Sequence, residues 1–118
     1  MQGKYVGAFS EGLAKVYDNN ELYFVNDKYE MVFKCDADIA GDFHEGLARV
    51  YKHKRWGYID NQGNLVIDYL YNYASDFEKG VAIARIDQLM FYLDHDGLIL
   101  NEITNIEKDS LNLKKNCR

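Results

Sequence analysis

Phe9-Ser-Glu-Gly-Leu-Ala14 returns as Phe43-His-Glu-Gly-Leu-Ala48 and again as Phe77-Glu-Lys-Gly-Val-Ala82, each copy 34 residues after the last. A fixed period of this size, with no insertion to absorb, marks a chain assembled from like structural units. Glycine holds one place in every copy, at Gly12, Gly46 and Gly80, directly ahead of an alternating run. A glycine kept at one register points to a backbone requirement, a positive φ or a close approach, here at a turn or bulge. The rings of Phe9, Phe43 and Phe77 are expected in equivalent buried positions.

The run after each motif reads Leu13-Ala-Lys-Val-Tyr17, Leu47-Ala-Arg-Val-Tyr51 and Val81-Ala-Ile-Ala-Arg85. Alternate side chains of a strand point to opposite faces. One face then carries Ala14 and Val16, Ala48 and Val50, Ala82 and Ala84, all small, as a tightly packed inner strand requires. The other carries Leu13, Lys15, Tyr17 and their counterparts, whose stems cover apolar surface while polar tips reach water. Beyond a polar tip, a second strand reads Leu22-Tyr-Phe-Val-Asn26, Trp56-Gly-Tyr-Ile-Asp60 and Met90-Phe-Tyr-Leu-Asp94. A turn closes it, with Gly63 and Gly97 third after the Asp and Tyr29 in the same place in the first copy. A short third strand follows: Met31-Val-Phe33, Leu65-Val-Ile67, Leu98-Ile-Leu100.

The predicted fold is all-β. Three tandem 34-residue, three-stranded antiparallel meanders form an open twisted array or a partial barrel, with a short polar C-terminal segment. Residues 1–118 make a single repeat domain, with units over approximately 5–38, 39–72 and 73–103 and a C-terminal cap or tail over 104–118. Three such units are too few to close a propeller, which takes at least about four blades.

Composition points the same way. A chain of 118 residues is one domain's worth, and 47% hydrophobic content excludes disorder for most of it. Aromatic residues reach 14%, with ten Tyr and six Phe, and proline is absent, all favouring strands. The net charge of −5 argues against nucleic acid, whose phosphates call for a basic surface. No apolar run approaches the ~18 residues of a membrane span, and the first residues lack the apolar stretch of a signal peptide, so no membrane contact and a cytoplasmic location are expected. Cys35 and Cys117 have neither CxxC spacing nor the numbers of a disulfide framework.

The second unit, Phe43 to Ile67, resembles the WG-containing β-repeat (KWG-like repeat) found in many bacterial proteins. The resemblance rests on Phe43-x-Glu-Gly-Leu-Ala-x-Val50, the centre Trp56-Gly-Tyr-Ile-Asp60 and the close Gly63-x-x-Val-Ile67. Arg55 stands where that family usually has Lys. The outer units match the opening but carry Leu22-Tyr23 and Met90-Phe91 in place of Trp56-Gly57. The resemblance spans about residues 5 to 103. It implies an array of β meanders that binds other molecules, and it brings no catalytic residue.

Leu22 and Met90 replace a packed Trp more naturally than a recognition Trp. Trp56 is therefore expected to pack over a glycine of a neighbouring strand, with Gly57 leaving room; an exposed aromatic platform is the alternative. His44, His53 and His95 fall where the other copies are polar, which reads as solvated surface. Asp94-His95-Asp96 is too thin a shell for a metal and reads as a polar turn. No nucleophile, metal set or cofactor fingerprint is in register, so neither catalytic residues nor cofactors are expected and the protein is not read as an enzyme.

What varies between units is the first hairpin tip: Asp18-Asn-Asn-Glu21, the basic run Lys52-His53-Lys54-Arg55, and Ile86-Asp-Gln-Leu89. Repeat arrays keep a scaffold and vary loops on a binding face. The basic run is the candidate binding site, set against the plainer reading of a charged hairpin end that protects an edge. The expected function is a non-catalytic protein-binding module, in its specific form a small inhibitor or immunity-type protein. The alternative is a structural fragment of a longer repeat protein with no activity of its own. The expected partner is a protein, with homodimer formation left open.

Overall fold

The structure is a computed structural model and describes residues 4–102. Every element in that range is a strand or a turn. The first sheet holds β1 (Lys4–Val6), β2 (Ala14–Asp18), β3 (Glu21–Val25) and β4 (Met31–Cys35) in sequence order. The second holds β5 (Ile39–Ala40), β6 (Leu47–Lys52), β7 (Arg55–Asp60) and β8 (Leu65–Tyr71). The third holds β9 (Tyr73–Ala74), β10 (Ala82–Ile86), β11 (Leu89–Leu93) and β12 (Ile99–Glu102). All neighbours are antiparallel, and no sheet closes on itself.

The meanders are present, and each gains one strand. The lead-in to each Phe motif pairs with the strand after it, as in Ile39↔Tyr51 and Tyr73↔Arg85. Two or three residues are too few to show an alternating pattern, so the fourth strand emerges only from the pairing.

The Phe-motif turn has one geometry throughout. Ser10 and Leu13 exchange backbone hydrogen bonds, as do His44 with Leu47 and Glu78 with Val81. The two residues between have positive φ in every copy: Glu11 and Gly12 at 54° and 81°, Glu45 and Gly46 at 56° and 83°, Lys79 and Gly80 at 55° and 87°. A two-residue hairpin turn with both φ positive matches the twist of its flanking strands. A Cβ added at Gly46 would meet nothing within 4 Å, so conformation, not crowding, is what glycine supplies there.

The core lies between sheets. Leu13, Leu22 and Phe24 of the first sheet bury against Phe43, Ala48, Val50 and Ile59 of the second unit. Leu47, Tyr58, Ile67 and Tyr71 of the second bury against Phe77, Ala82, Ala84, Phe91 and Leu93 of the third. The small-residue faces of the second and third units are thus each covered by the large-residue face of the unit before. Phe43 and Phe77 plug into these joints, edge-on to Phe24 at 5.1 Å and to Tyr58 at 5.0 Å between centroids. Phe9 departs from the expectation of equivalent burial. It is 40% exposed against 0% for Phe43 and 2% for Phe77, because no described unit precedes the first sheet.

Candidate functional site

The basic run sits on the β6–β7 hairpin, where Lys52 pairs with Arg55 and His53 and Lys54 form the two-residue turn. Their φ values are 56° and 66°, in the left-handed region that Asn and Gly occupy most easily. The first unit has Asn19 and Asn20 in the same geometry, at 52° and 69°.

The four basic residues do not act alike. The Lys52 ammonium binds the Asp36 carboxylate of the preceding unit at 2.6 Å, and that contact holds the Asp36 carboxyl below its usual range. The His53 ring lies edge-on to Tyr69 at 6.5 Å. Lys54 is exposed and Arg55 half-buried, and among the described residues neither forms an ion pair. Trp56 follows on the strand, half-buried and packed against the core of the second joint, as a packing residue is expected to be. Its ring packs against Tyr51 at 5.0 Å, and the Arg49 guanidinium lies 5.1 Å from its centroid. The hairpin tip thus carries Lys54 and Arg55, without an ion pair among the described residues, beside the packed rings of Tyr51 and Trp56.

Gly57 makes room, but for backbone rather than for the Trp ring. A Cβ there would lie 2.5 Å from the Ile67 carbonyl oxygen and 2.9 Å from Asp68 backbone atoms. The cause is a bulge. Leu22 pairs with Cys35, but its counterpart Trp56 pairs with Tyr71, not with Tyr69, and the register shifts between Trp56 and Tyr58. The extra residues fold β8 in over Gly57 and bury Tyr71 in the joint with the third unit.

The polar parts of the joints escape a reading of the sequence. The Glu11 carboxylate accepts the backbone N–H groups of Glu45 and Gly46, at 2.6 and 2.9 Å. One repeat on, the Glu45 carboxylate accepts the Gly80 N–H at 2.9 Å. Each carboxylate fills the concavity of adjacent N–H groups that the next turn presents. His95 Nε2 lies 2.8 Å from the Glu45 carboxylate, and that contact, with the backbone N–H groups of Gly80 and Lys79, keeps Glu45 below the ordinary carboxyl range. Lys15 pairs with Asp42 at 3.2 Å, and Arg49 pairs with Asp76 at 3.3 Å one repeat later. His44 and His95 are solvent-accessible as expected, and both also face carboxylates across the second joint, His44 at 3.5 Å from Asp76. Glutamate at two of three copies was the available signal for the latch, but its target is main chain and leaves no mark in the sequence.

Asp94 serves its own turn, accepting the N–H groups of Asp96 and Leu98 at 2.9 Å, as Asp60 does for Gln62 and Asn64. Among the described residues no group of three or more His, Cys, Asp or Glu could hold a metal ion. Burial pushes the Cys35 thiol up to about 11, which keeps it protonated near neutrality. Among the described residues no helix is long and apolar enough to cross a membrane. The expected cap or tail over 104–118, with Cys117, lies outside the described residues.

Like sheets sharing cores across repeated joints define a β-repeat protein. The chain belongs to the WG containing repeat family: that family's model matches residues 24–55 and 56–89, together more than half of the chain. The boundary between the two matches falls at Arg55 and Trp56, inside the β6–β7 hairpin, so the family's frame is out of phase with the sheets. No curated protein matches the chain.

Proposed function

We propose that the protein is a non-catalytic protein-binding module and that the β6–β7 tip is its recognition surface, taking an acidic patch on a partner protein. The observation that carries this reading is the backbone at His53 and Lys54. Left-handed geometry disfavours such residues by about 1–2 kcal/mol each relative to glycine. Charged side chains held at that disadvantage, beside a platform of Trp56 and Tyr51, are poorly explained by solubility alone. In its specific form the module is an inhibitor or immunity-type protein.

The test pairs stability with capture. Lys54→Ser with Arg55→Ser should change the melting temperature little, since charges at the surface that form no ion pair contribute only ~0–1 kcal/mol. The same change should weaken capture of an acidic partner from native lysate, most at low salt, where charge steers association. His53→Asn with Lys54→Gly should raise stability by about 1 kcal/mol through relief of the turn while also weakening capture. If the wild type and the Ser variant retain the same proteins to the same extent across salt concentrations, the tip is not the recognition surface.

A further inference from the structure

The two joints between the described units are built from matched pairs of positions, and the outward faces of the first and third described units break each pair. The first pair is steric. At the joints the turn glycine sits under a side chain of the preceding unit: a Cβ on Gly63 would lie 2.7 Å from the Phe33 ring, and one on Gly97 would lie 3.2 Å from Ile67. The first unit has Tyr29 at that place, held at a φ of 63° and 68% exposed, with its ring edge-on to Phe9 at 5.7 Å. A tyrosine fills the space that an incoming sheet would occupy.

The second pair is electrostatic. Lys15 meets Asp42 and Arg49 meets Asp76, but the outer counterparts are Ala8 on the first unit and Ile83 on the third. The third is the latch. Glu11 and Glu45 accept the N–H groups of the next turn, and the third unit carries Lys79 instead. An ammonium has donors only and cannot accept an N–H. Ala14, Val16 and Val25 are buried with no described unit over them, and Val6, Tyr23, Tyr29 and Met31 line the cleft above.

We propose that these substitutions prevent a second copy of the chain from docking its β1–β4 face onto the β9–β12 face. A head-to-tail contact of this kind is heterologous and, unless it closes into a ring, grows into a filament. Repeated joints make that hazard intrinsic, since each inner interface is a pattern for the next. Tyr29, Ala8, Ile83 and Lys79 remove the pattern from both outer faces while the inner joints keep it. A closed pairing of two copies through other surfaces is unaffected.

The test restores the faces one at a time in the full chain and reads mass by sedimentation across a hundredfold range of concentration. Copies carrying Ala8→Asp and Tyr29→Gly regain one face. Copies carrying Lys79→Glu and Ile83→Arg regain the other. Each alone should keep the wild-type mass, and their equimolar mixture should form a 1:1 complex at least tenfold tighter than any wild-type self-association. Should Ile83→Arg unfold the third sheet, as a thermal melt would reveal, Lys79→Glu alone serves as the second partner with the same expectation. Open-ended growth of the wild type with concentration would overturn the proposal. So would a mixture that associates no better than wild type, because the four positions would then not be what keeps the copies apart.

Discussion

Gly46 and Gly57 are both required, for opposite physical reasons, and substitution separates them. At Gly46 the space is open and the backbone left-handed, so Ala should cost about 1–2 kcal/mol and Asn, which tolerates that region, less. At Gly57 the neighbours are backbone atoms of Ile67 and Asp68, which cannot swing aside. Ala there should cost about 1–3 kcal/mol or more by overpacking, and Asn more than Ala. Urea unfolding of the four variants measures this; a milder effect of Asn than Ala at Gly57 would remove the steric account. The sequence reading reached the first glycine because a turn followed by a strand is local. It missed the reason for the second because the bulge in β8 arises between strands. Likewise, the basic run was visible as letters, but Lys52 being drawn onto Asp36 was not, since that contact crosses from one unit to the next.

Among elements, the Phe-motif turn does two things. It folds the chain back, and it offers its N–H groups to the carboxylate of the unit before. The second latch depends on pH with a definite sign. His95 and the backbone N–H groups stabilise ionised Glu45, so its carboxyl titrates below the ordinary 4.5. The stabilisation is complete above the unfolded carboxyl range and is lost as pH falls towards the folded value. The melting temperature of wild type should therefore exceed that of Glu45→Gln at pH 6, and the gap should close as pH drops below about 4. A gap that stays constant down to pH 3 would mean the ionised carboxylate is not what holds the joint. The strands that form the three meanders could be read from alternation. The two-residue strands β5 and β9 could not, because they exist only as partners of β6 and β10.

At the scale of the whole molecule, identical letters acquire different energies from their place in the array. Phe43 is sealed between two sheets, whereas Phe9 lies on an outer face. Phe43→Ala should cost about 3–5 kcal/mol, in the range for a large buried aromatic, and Phe9→Ala roughly 1 kcal/mol or less. Equal costs would show that the joints are not where the stability resides. Periodicity established that the positions correspond, but burial depends on which neighbour lies alongside. The latch carries one more consequence. Glu11 grips the main chain of its neighbour rather than any particular side chain. Such a grip is indifferent to the side chains that the neighbouring turn carries, so those side chains can drift without a matching change at Glu11. The match between particular units is carried instead by side chains elsewhere in the joint, such as Phe33 over Gly63 and Lys15 on Asp42.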